Sequence, residues 1–253
     1  MANFLINCTV KKNTAIISLN RPEVHHSVNG DVMEGLEKLQ NEVYSDENIL
    51  SIIMTASGDE SFCSGGDLKY FSTLKTPESV RQMSLKMQKI LSRFWEGEKP
   101  VIAAINGQAL GGGCEILTAC HNRIAAEHAR FGFRQASNGI TTGWGGGVRL
   151  FQQMNKPMAL KLLLTSEEFD ANEALRIGFI DSIVAYENLM DTAMKLAAEI
   201  NQNPPAVIQK FLQMMRLVVS GNIRNAEDFQ SSSFLETWHS PVFQKVLSKY
   251  RNS

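Results

Sequence analysis

The sequence contains few cysteines and no long uninterrupted apolar run. Its four cysteines are Cys8, Cys63, Cys114 and Cys120, and none forms the C-x-x-C pairing of redox or zinc motifs. We therefore expect free thiols in a reducing compartment rather than a disulfide framework. A metal site built from Cys114, Cys120 and His121 stays open as an alternative, although the spacing fits no common zinc pattern. No apolar segment approaches the length that crosses a bilayer, which argues against a membrane protein.

The sequence also lacks a charge excess of either sign. It carries 25 lysines and arginines against 26 aspartates and glutamates, a formal net charge of −1. This balance gives no reason to expect nucleic acid or a membrane surface as a partner. Residues 1–7 have neither the basic region nor the long apolar core of a secretory signal, so we expect a cytoplasmic location.

The apolar residues, 43% of the chain, are sufficient for a sizeable core, and their periodicity predicts an α/β protein. Strands are expected at 5–10, 14–19, 51–55, 100–105, 123–126 and 179–184. Helices are expected around 30–43, 77–95, 146–154 and 157–164, at a start capped by Asp170, and throughout the chain after about residue 187. We therefore predict a core over residues 1–190 and an all-helical oligomerisation region over residues 191–253.

The segment 99–149 contains the most informative pattern. An apolar run at 100–105 predicts a buried strand, and three glycines, Gly111 to Gly113, precede a segment at 115–120 that reads as the start of a buried helix. Glycines at such a junction allow backbone N–H groups to approach a ligand closely, which suits an oxygen that becomes negative during a reaction. A simple change of chain direction is the alternative. The glycines match neither a phosphate loop nor the G-x-G-x-x-G dinucleotide motif.

Four segments in the same order resemble the crotonase superfamily, the enoyl-CoA hydratase/isomerase family. They are Asn-Arg-Pro-Glu at 20–23, Phe-Cys-Ser-Gly-Gly-Asp-Leu-Lys at 62–69, the glycine-rich stretch at 99–116 and Gly-Trp-Gly-Gly-Gly-Val-Arg-Leu at 143–150. This resemblance implies a crotonase-type spiral of ββα units with a C-terminal helical region, assembled as a homotrimer or a dimer of trimers. It also implies an acyl-CoA thioester substrate, with coenzyme A as part of the substrate and no separate cofactor or metal.

The resemblance further assigns roles to individual residues. Gly66 and Gly112 match the two backbone donors of an oxyanion hole, which polarise the thioester carbonyl and stabilise an enolate. Glu115 matches the first catalytic glutamate of the family, where a carboxyl group near apolar walls exchanges protons. For each of the three, a purely structural role is the alternative.

Gln135 departs from the family pattern, because many hydratases carry a second glutamate there. An amide can hold a water molecule or a substrate oxygen, but it cannot act as a base. We therefore expect an acyl-CoA lyase with 2-enoyl-CoA hydration as the family default. Decarboxylation of a short malonyl-type CoA ester, such as methylmalonyl-CoA or ethylmalonyl-CoA, is the first alternative, because Glu115 followed by the non-acidic Gln135, together with Trp144, resembles the family members that decarboxylate such esters. A non-catalytic acyl-CoA binding protein is the second.

Further positions match substrate contacts of the family or suit a substrate group. Arg134 suits the carboxylate of a malonyl-type ester, with a surface salt bridge as an equal alternative. The resemblance implies that Lys245, on the last helix, can approach coenzyme A bound by a neighbouring subunit, although a single lysine is more often a solvated surface charge. The complete set is Arg21, Ser64, Gly65, Asp67, Leu68, Gly111, Arg134, Trp144 and Lys245.

Overall fold

The computed structural model describes residues 5–249, and these residues form two compact units. The first comprises 5–202 and the second 203–249. The strands are β1 (Ile6–Lys11), β2 (Thr14–Leu19), β3 (Ser51–Ala56), β4 (Ser61–Cys63), β5 (Val101–Ile105), β6 (Gln108–Leu110), β7 (Asn122–Ala126), β8 (Arg130–Gly132), β9 (Phe169–Asp170) and β10 (Ser182–Val184). The sequence predicted the boundary at residue 190. That the helical region after it serves oligomerisation stays a prediction.

The helices alternate with the strands in the first unit and follow one another in the second. They are α1 (Gly30–Ser45), α2 (Leu68–Phe71), α3 (Pro77–Glu96), α4 (Gly112–Leu117), α5 (Gly146–Gln153), α6 (Lys156–Thr165), α7 (Ala171–Arg176), α8 (Leu189–Asn201), α9 (Pro205–Val219), α10 (Ile223–Trp238) and α11 (Pro241–Ser248). Side chains fix several starts, because Asn29, Thr76 and Asp170 accept hydrogen bonds from the first turns of α1, α3 and α7.

Six strands form the larger sheet, in the order β1-β2-β3-β5-β7-β10. β1 and β2 make the predicted antiparallel hairpin, and the other neighbours are parallel. Every residue of β3 and β5 is buried, as continuous apolar runs in a parallel sheet require. Helix α8 packs on this sheet through Leu189, Ala193 and Ala197.

Four short strands form a second sheet, β4-β6-β8-β9, which positions the candidate site. β4 and β6 are parallel neighbours, as are β6 and β8. Because parallel strands end at the same sheet edge, the loops after β4 and β6 leave the sheet side by side. These loops carry Gly65 and Gly66 in one case and Gly111 and Gly112 in the other.

The sequence-based elements differ from the structure mainly in length. The predicted strand at 179–184 is confined to β10, since the chain first turns at Gly178, whose φ is +74°. The helix expected from residue 115 begins three residues earlier, at Gly112, and ends at Leu117. None of the four strands of the second sheet was predicted.

The second unit contains α9, α10 and α11, as the helical pattern predicted. Phe234, Trp238 and Phe243 form an aromatic cluster within it, with ring centroids 5.5 and 4.8 Å apart. Several large apolar side chains of this unit are exposed: Phe211, Val218, Ile223, Phe234, Leu235, Trp238, Val242 and Val246. Across residues 5–249, no helix is both long and apolar enough to span a membrane.

Candidate active site

Two glycine-containing loops meet at the edge of the second sheet. Gly65 has φ of +102°, and a Cβ added to it would lie 2.9 Å from the amide nitrogen of Gly112. The neighbouring residue, Gly66, forms a parallel bridge with Val28, in which Val28 N–H donates to Gly65 O and Asp67 N–H donates to Val28 O. In a parallel bridge of this form, the N–H of Gly66 itself points away from Val28.

The N–H group of Gly112 also has no acceptor within its own helix, α4. Gly112 is the first residue of α4, and the first N–H groups of a helix have no intrahelical acceptor. Gly111 precedes it with φ of +51°, and its N–H donates to Gly132 O at 2.7 Å, which anchors the loop to β8. Two amides are therefore presented by neighbouring loops, as the predicted oxyanion hole requires.

Close packing explains why positions 66 and 112 are both glycine. A Cβ at Gly66 would overlap the ring of Phe71, and one at Gly112 would overlap the indole ring of Trp144. In both cases the ring would have to leave its packed position. The glycines thus serve close approach as well as backbone freedom.

Glu115 lies one helical turn after Gly112, and its carboxylate is surrounded by N–H donors. Oε1 accepts from Gln135 Nε2 at 3.0 Å and from Gly143 N at 3.3 Å. Oε2 accepts from Trp144 N at 2.8 Å and from Gly146 N, the first residue of α5, at 2.9 Å. Four donors on one carboxylate fix both of its oxygens in a defined direction.

Burial determines the proton affinity of this carboxyl group. Glu115 is 2% exposed, and this loss of solvent raises its pKa above the ordinary value of a glutamate, although the hydrogen bonds from Gly146, Trp144, Gly143 and Gln135 act in the opposite direction. Such a group can exchange a proton closer to neutral pH than an exposed glutamate can.

Arg149 places a buried positive charge close to this carboxylate. Its Nη2 donates to Trp144 O at 2.9 Å, and its Nε donates to Thr118 Oγ1 at 3.1 Å. Burial lowers the pKa of Arg149, whereas the charge of Glu115 raises it, so the two groups interact electrostatically. Arg149 belongs to a motif that the sequence had singled out, but its position beside Glu115 was not predicted.

Gln135 stands where the family pattern predicts a second glutamate, and the structure places it beside Glu115. It is 7% exposed, and its Nε2 must face Glu115, since an ionised carboxylate only accepts hydrogen bonds. Its Oε1 is buried and has no hydrogen-bond partner within the described part of the chain. An acceptor is therefore presented next to the carboxyl group.

Three of the predicted substrate-binding residues, Arg21, Ser64 and Asp67, make hydrogen bonds that hold the loop around Gly65 and Gly66 in place. Arg21 forms an ion pair with Asp67 at 3.0 Å and also donates to Ser27 O. Asp67 accepts from the first N–H groups of α2, and Ser64 N donates to His25 O at 2.9 Å. Leu68 is 75% exposed, so its side chain is available for contact with a ligand.

Two predicted contacts lie elsewhere or have other partners. Arg134 donates to Glu168 Oε1 and to Ser166 O, both at 3.3 Å, which is the salt bridge that the sequence left as the equal alternative. Lys245 lies on α11 in the second unit. Direct contact of either residue with a substrate stays a prediction.

Three of the four thiols are completely or almost completely buried: Cys63, Cys114 and Cys120. Burial raises the pKa of Cys63 and of Cys120 to about 12 and also raises the pKa of Cys114. No group of three or more metal-ligating side chains occurs among residues 5–249, and His121 instead stacks on Trp95.

Known proteins resemble this chain in sequence and in structure. The family model described as enoyl-CoA hydratase/isomerase matches residues 9–252. A short-chain-enoyl-CoA hydratase of Clostridium acetobutylicum is 36% identical over 88% of this chain and 85% of its own length. A crotonyl-CoA hydratase of Syntrophomonas wolfei is 37% identical over 75% and 73%. The crystal structure of an enoyl-CoA hydratase from Bacillus anthracis superimposes with a TM-score of 0.92 at 27% identity, covering 98% of this chain and 96% of that one.

Proposed function

The chain belongs to the enoyl-CoA hydratase/isomerase family, and we propose that it is an acyl-CoA lyase that hydrates a 2-enoyl-CoA thioester. The observation that carries the proposal is the pairing of Glu115 with Gln135, whose amide nitrogen contacts the carboxylate while its oxygen is buried without a partner. Two relatives named as hydratases, 36% and 37% identical to this chain, support the same reaction.

In this reaction the N–H groups of Gly66 and Gly112 hold the thioester oxygen. Gln135 Oε1 accepts a hydrogen bond from the attacking water, and Glu115 takes a proton from that water. The hydroxyl group bonds to the β-carbon, and the C=C electron pair moves toward the thioester oxygen to form an enolate. Glu115 then delivers its proton to the α-carbon. Loss of one oxyanion donor typically raises such a barrier by about 2.7–4 kcal/mol.

Decarboxylation of a malonyl-type CoA ester is the second candidate, and the uncharged amide of Gln135 favours it. A second carboxylate would repel the carboxylate of the substrate, whereas Gln135 adds no charge. Loss of carbon dioxide would leave its electron pair on the same enolate, and protonated Glu115 would supply the proton to the α-carbon. This reaction requires Glu115 in its neutral form, and hydration requires it ionised.

Mass spectrometry of a panel of CoA esters distinguishes the candidates. The panel contains crotonyl-CoA, methylmalonyl-CoA and ethylmalonyl-CoA, each incubated with the native protein and with Glu115→Gln. Gain of one water by crotonyl-CoA, absent with the variant, supports hydration. Loss of carbon dioxide from the carboxylated esters supports decarboxylation. Binding without any mass change would contradict both and leave an acyl-CoA binding protein.

Assembly and location complete the proposal. The exposed apolar side chains of the second unit support a homotrimer or a dimer of trimers, because a solvated helix rarely exposes so many. Four free cysteines support a reducing, cytoplasmic location.

Because the carboxyl group and the two amides suffice for the chemistry, no cofactor beyond the coenzyme A of the substrate is invoked.

A further inference from the structure

Two polar side chains of α3 hold the carbonyl oxygen of Gly143. Ser84 Oγ donates to this oxygen at 2.6 Å, and Gln88 Nε2 donates to it at 3.0 Å. Gln88 Nε2 also donates to Ser84 Oγ at 3.1 Å. A main-chain carbonyl oxygen has two lone pairs, so the two side chains occupy both of them. The loop that leads into α5 is therefore held to α3 at one atom.

The spacing of the two donors places them on one face of a firmly packed helix. Ser84 and Gln88 are four residues apart, about one helical turn, and both are half-buried. A serine within a helix can donate to the carbonyl oxygen one turn earlier, whereas Ser84 donates to the loop. The helix itself is anchored by five buried apolar side chains: Met87, Ile90, Leu91, Phe94 and Trp95.

The carbonyl oxygen that α3 holds belongs to the same peptide group as the N–H of Trp144. That N–H donates to Glu115 Oε2 at 2.8 Å. A trans peptide group is planar, and its C=O and N–H bonds point in opposite directions. Fixing the oxygen on the α3 side therefore fixes the direction of the N–H on the Glu115 side. Hydrogen bonds to the oxygen also polarise the peptide group, which strengthens the bond from its N–H to the carboxylate.

We propose that Ser84 and Gln88 are positioning residues, which orient the Glu115 carboxylate through the Gly143–Trp144 peptide group. This inference rests on the proposed function, in which Glu115 exchanges protons with water and with the α-carbon. It adds two residues that lie outside every motif of the sequence. The hydrogen bond from Trp144 N–H lowers the pKa of Glu115 against the effect of burial, so weakening that bond should raise this pKa.

The charges around the site allow this effect to be distinguished from a change of charge. Arg149 of α5 and the Cys114 thiol of α4 interact electrostatically with Glu115, and both stay in place when α3 is altered. Ser84 and Gln88 are uncharged, so their replacement by apolar residues removes no charge. A shift in the titration of Glu115 would therefore have to be transmitted by the peptide group. A loss of stability alone would leave the titration of the folded enzyme unchanged.

The kinetic test compares the native enzyme with Ser84→Ala, Gln88→Met and the double variant. In the double variant, kcat for crotonyl-CoA should fall by about 10-fold, and the inflection in kcat/KM should move to higher pH, while KM stays close to the native value. Each single variant keeps one donor and should show a smaller effect, and Ser84→Thr, which keeps the hydroxyl, should retain the native profile. Gln82→Met is the matched control, because Gln82 is an exposed glutamine of the same helix that donates to Glu78. A folded double variant with the native kcat and the native inflection overturns the inference.

A spectroscopic titration separates this inference from the reaction itself. Subtracting the infrared spectrum of the matching Glu115→Gln variant isolates the carboxyl band of Glu115, and its pH dependence gives the pKa without any substrate. A higher midpoint in the double variant than in the native protein supports the inference, even if no CoA ester reacts and the proposed function fails. An unchanged midpoint overturns the inference alone, because hydration of crotonyl-CoA by the native protein tests the proposed function independently.

Discussion

Glu115 and Arg149, buried groups of opposite charge, are bridged by the main chain of Trp144. Its N–H donates to Glu115 Oε2 at 2.8 Å, and its carbonyl oxygen accepts from Arg149 Nη2 at 2.9 Å. Thr118 makes a second connection, because its hydroxyl accepts from Arg149 Nε and donates to the main-chain oxygen of Glu115. The charge of Glu115 in turn raises the pKa of Arg149, a residue 34 positions away in the sequence.

Replacing Arg149 should shift the pH dependence of catalysis upward. The positive charge favours the ionised form of Glu115, so Arg149→Gln should raise the pKa of that carboxyl group and move the inflection in kcat/KM to higher pH. Arg149→Lys keeps the charge and should shift the inflection less. Arg149→Gln also removes the donor to Trp144 O, and leaving this buried oxygen unpaired should lower the free energy of unfolding by about 1–3 kcal/mol. A folded Arg149→Gln enzyme with the native inflection would contradict the electrostatic role.

The direction of the pH profile in the native enzyme should identify the working form of Glu115. Hydration needs the carboxylate as a base, so kcat/KM for crotonyl-CoA should rise with pH through a pKa above that of an ordinary glutamate. Decarboxylation needs the neutral acid, so kcat/KM for methylmalonyl-CoA should fall through the same pKa. Profiles with both esters over the acid and neutral range provide the measurement. A rise for both substrates would argue against Glu115 as the proton donor in decarboxylation.

Glu115→Gln should abolish most turnover and leave ester binding nearly intact. The proton-transfer role is worth roughly 10²–10⁴-fold in rate, and an amide cannot perform it. Turnover of crotonyl-CoA and calorimetric binding of butyryl-CoA measure the two properties separately. Glu168→Gln is the matched control, because Glu168 is a partly exposed glutamate paired with Arg130 and Arg134. Activity of Glu115→Gln within a few-fold of the native enzyme would remove this residue from the mechanism.

Gln135→Glu should raise the hydration rate and impair decarboxylation. Gln135 Nε2 lies 3.0 Å from Glu115 Oε1, so the new carboxylate would stand within hydrogen-bond distance of Glu115. The two acids would then share a proton, and the pKa of one of them would rise. Acid and base forms would then coexist near neutral pH, while a carboxylated substrate would meet an added negative charge. Assays with crotonyl-CoA and methylmalonyl-CoA on both proteins are required. Fast hydration by the native enzyme, with no gain in the variant, would refute this interpretation of Gln135.

The protein should assemble through its second unit. Phe234, Leu235, Val242 and Val246 are exposed on α10 and α11, and burying such side chains between subunits stabilises an oligomer. Light scattering at micromolar concentration should report a trimer or a hexamer. Leu235→Glu should lower the assembled fraction, whereas Gln230→Glu, an exposed polar position on the same helix, should not. A monomeric native protein would contradict the proposal.

Much of the fold was predictable, because β3 and β5 are short, mostly apolar segments and because Asn29, Thr76 and Asp170 mark helix starts. The second sheet was not, since strands of two or three residues are too short to show alternation. Gly66, Gly112 and Glu115 could be proposed as site residues because the motifs that carry them are local. The contact of Arg149 with Thr118 depends on how α5 packs beside α4, which periodicity does not encode.

The buried thiols make the motions of the two glycine-containing loops measurable without any engineered cysteine. Cys63 lies three residues before Gly66, Cys114 lies two residues after Gly112, and both are completely buried with raised pKa values. A thiol-alkylating reagent reacts with the thiolate, so it can modify these residues only when the loops transiently open. The rate of alkylation therefore measures how often the loops open. The decrease in this rate when an ester is bound reports how strongly that ester holds the two loops closed.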